Sequence, residues 1–186
     1  MTQTQDHAQD RARDQAEQSP DLSPWHTETR EVTWALPGQG NFEALAAMDG
    51  LGQLQAIEQG LMPPPPVMAT VDMCGFHAER GSVTVRMHAQ SFHYNHLGGV
   101  HGGMIATLLD TAAGCSVHST LAVGEGYTSL DLTTKFLRPV TTESGLLTCV
   151  GKVISRGRRT ALAEAQLTDE AGRVLAHATS SCMIFS

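Results

Sequence analysis

A chain of 186 residues has room for one ordinary domain of about 100 to 150 residues plus an extension. Its net charge of −7 and pI near 5.6 give nucleic-acid binding no global electrostatic support, and the longest basic tract is Arg156-Gly157-Arg158-Arg159. No apolar run approaches the roughly 20 residues that span a bilayer, and no basic-then-apolar leader is present, so a cytoplasmic protein without a membrane partner is expected.

Residues 1–23 contain almost no large apolar side chain and are crowded with Gln, Asp and Arg. They cannot bury enough surface to offset ordering entropy and are expected to be disordered. Trp25, Val32, Trp34 and Leu36 could lie along the body as an extended strap, and residues 1–40 together read as a mostly disordered extension. Phe42, Leu45, Ala46, Leu51, Leu54 and Ile57 fit helical spacing, with Gly50 and Gly52 weakening or kinking the helix. Pro63 to Pro66 stop it and favour a stiff polyproline II spacer. Residues 41–66 thus read as an N-terminal helix and linker, and residues 67–186 as the main domain.

In that domain, Val67 to His77 and Ser82 to Ala89 are β-rich runs around Glu79-Arg80-Gly81, the pattern of a hairpin. A glycine-rich loop and a long helix ending near Leu121 to Gly126 come next. Four strand-like runs follow, Tyr127 to Leu137, Leu146 to Ser155, Thr160 to Thr168 and Arg173 to Phe185. Short turns at Arg156-Gly157-Arg158 and Asp169 to Gly172 make the last three antiparallel neighbours. One long helix against one antiparallel sheet is a two-layer α+β domain, and its open edges make pairing with a second copy expected. The four cysteines, Cys74, Cys115, Cys149 and Cys182, form no C-x-x-C pair and read as buried free thiols.

The chemistry concentrates in Asn95-His96-Leu97-Gly98-Gly99-Val100-His101-Gly102-Gly103 and the helix after it. Met104, Ile105, Leu108, Leu109 and Ala112 form one apolar stripe. Asp110 lies off that stripe, on a face it shares with Gly103, Ala106 and Gly114, where a ligand or another backbone can approach closely. It is the only acidic residue between Glu79 and Glu125. The turn at His101-Gly102-Gly103 leaves unpaired N–H groups and a positive dipole end, suited to an anion or a developing oxyanion.

The pattern Asn95-x5-His101-Gly102-Gly103-x6-Asp110, followed by Ser129-Leu130-Asp131 and Phe136-Leu137-Arg138-Pro139, resembles the hotdog-fold acyl-CoA thioesterases of the PaaI type, relatives of 4-hydroxybenzoyl-CoA thioesterase. The likeness runs from about Val67 to Phe185 and leaves the N-terminal segment uncovered. It implies a long helix wrapped by a curved antiparallel sheet, a homodimer with active sites shared at its interface, and often a homotetramer. It also implies hydrolysis of an acyl- or aroyl-CoA to the free acid and CoA, with no metal or redox cofactor. Asp110 is then the catalytic carboxylate, acting as base or nucleophile, and Gly102 supplies the N–H that polarises the thioester carbonyl. Asn95 and His101 orient the loop near the thioester, and Ser129, or its neighbour Thr128 if the strand register differs, positions the water or the carboxylate. Gly103 and the group Lys135, Arg138, Arg156, Arg158 and Arg159 are the candidates for holding CoA.

Other readings carry less. His93, His96 and His101 have no nearby Cys or carboxylate to complete a metal set, and no Gly-x-Ser-x-Gly elbow marks a serine hydrolase. A hotdog dehydratase or hydratase would normally add a histidine acid/base across the site, and a non-catalytic acyl-CoA-binding module would have no use for Asp110.

Overall fold

The computed structural model describes residues 26–36 and 42–186. The chain divides into two units, Met1–Glu31 and Val32–Ser186. Of the first, residues 26–31 are described and carry neither helix nor strand, and the disorder expected for residues 1–23 lies outside the described residues. Trp34 and Leu36, expected to strap the body, are more than half exposed.

The second unit contains four helices, α1 (Phe42–Ala46), α2 (Gly50–Glu58), α3 (Pro66–Thr70) and the long α4 (Gly102–His118), among the described residues. Seven strands accompany them: β1 (Met73–Glu79), β2 (Ser82–His88), β3 (Gly126–Ser129), β4 (Thr133–Phe136), β5 (Leu146–Arg156), β6 (Thr160–Thr168) and β7 (Val174–Phe185). They form one antiparallel sheet in the order β1-β2-β5-β6-β7-β3, with β4 also paired to β7. The architecture is the expected α+β one, a long helix laid on a curved antiparallel sheet.

The apolar stripe read from the sequence is the face that packs. Ile105, Leu108, Leu109 and Ala112 are buried, joined by Ala113 and Val117. Beneath them the sheet alternates as a half-buried strand should: Ala161, Ala163, Ala165 and Leu167 of β6 point inward while Thr160, Leu162 and Gln166 point out. The inward positions under the helix are mostly alanine, so the two layers approach closely. At Gly151 of β5 a Cβ would overlap the Ala112 carbonyl of α4.

The run read as one strand from Tyr127 to Leu137 is two. Between the pairs Ser129↔Cys182 and Thr133↔Thr179, residues 130–132 face only residues 180–181, so one residue is extra and the strand bulges. The Asp131 carboxylate accepts from the Ser181 amide at 3.0 Å, and the Asp131 carbonyl accepts from the Ser180 hydroxyl at 2.8 Å, which closes the gap. The sheet therefore has one strand more than expected. The start of the run read from Val67 differs as well: Pro66 serves as the first residue of α3, a position that suits proline, and β1 begins only at Met73. A bulge between Met73 and Gly75 turns Cys74 outward, so of the four free cysteines, expected to be buried, this one is exposed and Cys115 half-buried, while Cys149 and Cys182 are buried.

The expected single N-terminal helix is divided by a cap. Asp49 accepts from the Gly52 amide at 2.8 Å and starts α2 anew, so a polar side chain rather than a glycine kink makes the break. α2 then docks on the main domain. Leu54 enters the hydrophobic core, the Gly50 amide donates to the Leu121 carbonyl at 3.0 Å, and Glu58 joins His77 at 2.7 Å and the Ala78 amide at 3.1 Å. A Cβ on Gly50 would overlap the His118 carbonyl, so glycine is what lets α2 sit on the end of α4. Packing thus carries residues before the prolines into the same unit as the sheet, and does not follow the division at 66/67. No helix among the described residues is long and apolar enough to cross a membrane.

Leu54→Ala should lower unfolding free energy by about 2 to 5 kcal/mol, as expected for a buried leucine, and a chain starting at Pro63 should be destabilised at least as much. Chemical denaturation of the three proteins measures this. Equal stability of the truncated and full chains would mean that α2 adds nothing to the core.

Candidate active site

The loop before α4 is held by its own polar groups. The Asn95 side-chain oxygen accepts from the Leu97 amide at 2.8 Å and the Gly99 amide at 3.4 Å, while the Asn95 amide donates to the Gly99 carbonyl at 2.8 Å. Gly98 completes the turn at φ +81°, a conformation that favours glycine. The Val100 amide donates to Val140 and the His101 amide to His93, both at 2.8 Å, which pins the far end of the loop to the body. His101 is the N-cap of α4: its Nδ1 accepts from the Gly103 amide at 2.9 Å. A neutral His101 ring therefore carries its proton on Nε2. Asn95 and His101 shape and cap the loop that presents Gly102.

Asp110 leaves α4 on the side away from the apolar stripe and is exposed. The Ser129 hydroxyl donates to its carboxylate at 3.3 Å. Of the two hydroxyls considered for this place it is Ser129 that faces Asp110, while the Thr128 hydroxyl makes only a 3.5 Å contact with the Ser129 carbonyl. Two residues earlier on the same face of β3, Tyr127 lies against Gly114: a Cβ there would come within 2.8 Å of the Tyr127 hydroxyl. Asp110 and Ser129 open on a hollow of about 380 Å³, also lined by Ala106, Thr107 and the Leu130-Asp131-Leu132 bulge. The bulge and the threonine are contributions the sequence did not announce.

Gly102 lies elsewhere. It opens α4 in a second hollow of about 340 Å³ with Val100, Ile105, Phe136, Arg138 and Val140. The Phe136 ring covers it, with Cζ 3.1 Å from where a Cβ would stand. Gly103, the next residue, gives its amide to the cap and is not free to meet a phosphate. Within one chain, the structure brings Asp110 and Ser129 together and keeps Gly102 apart from them.

The cations are dispersed. The Arg138 guanidinium, at the Gly102 hollow, donates to the Val174 carbonyl. Arg156 is held by Glu125 at 2.6 Å, and Glu125 also takes the Ala122 amide at 2.8 Å, so this arginine already has an anionic partner. Lys135, Arg158 and Arg159 are exposed. Two of the three histidines considered for a metal do other work: His93 accepts from the Gln90 amide at 3.0 Å and sets Nε2 3.0 Å from the Val71 carbonyl, and His101 caps the helix. Among the described residues, no group of three or more His, Cys, Asp or Glu side chains is placed to hold a metal.

Burial sets which groups near Asp110 can ionise. The Cys115 thiol is pushed up to about 12 by burial, with the Asp110 charge adding to the effect. Burial also raises the Tyr127 phenol, and both stay neutral at physiological pH. Of the two carboxylates in the hollow, Asp131 is spent on the Ser181 amide. Asp110 is left as the group able to act as a base or nucleophile.

A long helix on a curved antiparallel sheet, with a carboxylate in mid-helix and a glycine turn at its start, defines a hotdog protein. Residues 97–176 match the thioesterase superfamily. A phenylacetic acid degradation-related protein of Ralstonia eutropha JMP134, assigned to the thioesterases, shares 30% identity over 70% of this chain and 98% of its own, at a TM-score of 0.63. The chain belongs to the thioesterase superfamily, whose general chemistry is thioester hydrolysis. The fold is shared by the Escherichia coli PaaI protein of the phenylacetic acid degradation operon, at 18% identity over 74% of this chain and 94% of that one, TM-score 0.64. It is shared too by a thioesterase of Haemophilus influenzae, at 18% identity over 72% of this chain and 90% of that one, TM-score 0.63. No curated protein matches this chain.

If His101 acts as a cap, His101→Ala should cost about 1 kcal/mol of stability while His101→Asn, which keeps an acceptor, should cost only a few tenths. Thermal melts of both variants check this, and equal losses would show that capping is not what the ring does.

Proposed function

We propose that the protein hydrolyses an acyl- or aroyl-CoA thioester, as a homodimer in which each active site draws on both chains. The observation that carries this is the pairing of Asp110 with Ser129 in a hollow beside the helix of a thioesterase-superfamily fold. Asp110 either removes a proton from water or attacks the carbonyl carbon itself. By either route the carbonyl oxygen gains negative charge, the C–S bond breaks as the tetrahedral species collapses, and the CoA thiolate leaves to be protonated; on the second route the acyl group is left as an anhydride on Asp110, which water then cleaves to give the free acid and restore the carboxylate. The Gly102 amide at the positive end of α4 is suited to that oxygen. Arg138, Lys135, Arg158 and Arg159 are the cations left for CoA phosphates, since Arg156 is paired.

Distance is the reason for sharing. Gly102 and Asp110 stand eight residues apart on one helix, about 12 Å along its axis, whereas an attacking atom must come within about 3.5 Å of the polarised carbonyl. A two-fold axis setting two such helices antiparallel would place each Gly102 opposite the partner's Asp110. The rim of the two hollows supports this, because Leu130, Phe136 and Leu137 are all more than half exposed along the β3–β4 edge of the sheet.

Thiol release from a panel of acyl-CoAs tests the activity. Asp110→Asn, nearly isosteric, should keep the fold and reduce turnover at least ~100-fold. Near-normal turnover would move the chemistry elsewhere, and wild-type binding without thiol release would make the protein an acyl-CoA-binding module.

Mixing chains tests the sharing. Asp110→Ala and Gly102→Pro homodimers should both be inactive, the second because proline deletes the N–H. In a mixed dimer one shared site carries both defects and the other carries neither, so activity should return. Stable mixed dimers of folded chains without recovery would assign both groups to one subunit.

A further inference from the structure

The run from Tyr127 to Phe136 changes face once, and the change falls between the two hollows. Its partner β7 alternates without interruption, with Ala176, Ala178, Ser180, Cys182 and Ile184 all buried on the side of α4. Opposite Ile184 and Cys182 stand Tyr127 and Ser129, so before the bulge the odd-numbered residues turn to the helix. Opposite Ala178 and Ala176 stand Thr134 and Phe136, so after it the even-numbered ones do. A one-residue slip sends every side chain beyond it to the other face, so a strand without the extra residue would keep one parity throughout. With Ser129 in place it would offer Lys135 to the helix instead of Phe136, and with Phe136 in place it would offer Thr128 instead of Ser129. Only the bulge lets both arrive.

Asp131 holds the extra residue. The Leu130 amide donates to the Ser181 carbonyl at 2.8 Å, and in a regular hydrogen-bonded pair the Ser181 amide would be returned to Leu130. Here it donates to the Asp131 carboxylate at 3.0 Å, while the buried Ser180 hydroxyl donates to the Asp131 carbonyl at 2.8 Å. One residue thus accepts from two successive residues of β7, through its side chain and through its backbone. Resting on the thioesterase reading of Asp110, we propose that Asp131 is a positioning residue of the reaction: it clamps the bulge that turns Ser129 onto Asp110 and Phe136 onto Gly102. The Ser129 contact has little slack, because at 3.3 Å it already lies near the long end of hydrogen-bonding distance. In a dimer whose sites draw Asp110 from one chain and Gly102 from the other, each clamp serves both sites.

The test compares wild type with Asp131→Ala, which removes the acceptor, and Asp131→Asn, which keeps an acceptor oxygen without the charge. Ser180→Ala loosens the bulge from the other side and decides the matter should Asp131→Ala fail to fold. Turnover of the best acyl-CoA of the panel is measured by thiol release, and crystal structures of the variants read the Ser129–Asp110 distance without any substrate. Asp131→Ala should lower kcat at least ~10-fold with KM within about twofold, since a small misplacement of a catalytic group costs that much and acts on the transition state rather than on binding. Asp131→Asn should keep most of the activity, and Ser180→Ala should fall between the two. In a Ser129→Ala background Asp131→Ala should cost less than in wild type, because the contact it positions is already gone. A merely structural role would cost the same in both. The proposal is overturned by normal turnover in folded Asp131→Ala or Ser180→Ala, by an asparagine variant as impaired as the alanine one, or by an undiminished cost without Ser129. If wild type cleaves no thioester, the hydrolase reading falls and the structures still decide the clamp. A Ser129–Asp110 contact kept in Asp131→Ala overturns it, and one lost there but kept in Asp131→Asn upholds it.

Discussion

The structure depends on how closely α4 lies on the sheet. At Gly151 the strand backbone has no side chain between it and the Ala112 carbonyl, and a Cβ would overlap that carbonyl. Around this point Ala161, Ala163, Ala165, Ala176 and Ala178 are fully or almost fully buried, so the layer under the helix is thin as well as apolar. Larger residues there would lift the helix and strand the leucines of its stripe. Depth matters for chemistry because Ser129, at the sheet edge, reaches Asp110 at 3.3 Å. A lift of even an ångström would break that contact, so packing on one face of α4 sets the geometry of the other.

The two ends of the helix are secured differently. At the start, His101 fills the cap and Asn95 ties the loop, leaving the Gly102 amide unspent. At the finish, α2 abuts: Gly50 meets His118 and Leu121, and Gln53 meets the His118 ring. The N-terminus of α2 thereby meets the C-terminus of α4, so opposite ends of two helix dipoles are neighbours. The Ser119 hydroxyl, which accepts from the Gly81 amide at 2.7 Å, ties the β1–β2 turn to the same end.

Much of this was legible in the sequence because one face of each element is buried and periodicity records it. The α4 stripe, the β5, β6 and β7 boundaries within about a residue, and the turn at Gly81 all follow from spacing and glycine placement. What escaped was tertiary. The bulge at residues 130–132 comes from pairing with β7, and no local pattern in Tyr127 to Leu137 marks it. The prolines at 63–66 look like a boundary because they cannot continue a helix, yet Leu54 crosses back into the core, a contact that depends on distant side chains. At the site, Asp110 and Gly102 could be named from residue type and position, whereas the Tyr127–Gly114 contact could not, since it exists only where the folded sheet meets the helix.

That contact also bears on why Gly114 is glycine. The sequence groups it with Gly103 and Ala106 as a place for a partner to approach, and in the fold these positions separate into two uses. The stretch from Gly103 to Asp110 stays open, while Gly114 is filled from the protein's own sheet. An alanine at position 114 would press the Tyr127 hydroxyl, and displacing the ring would disturb His118 and through it the seat of α2. The small residues of one helix face therefore serve different ends: up to Asp110 they leave the face uncovered within the chain, and after it Gly114 makes room for the Tyr127 side chain.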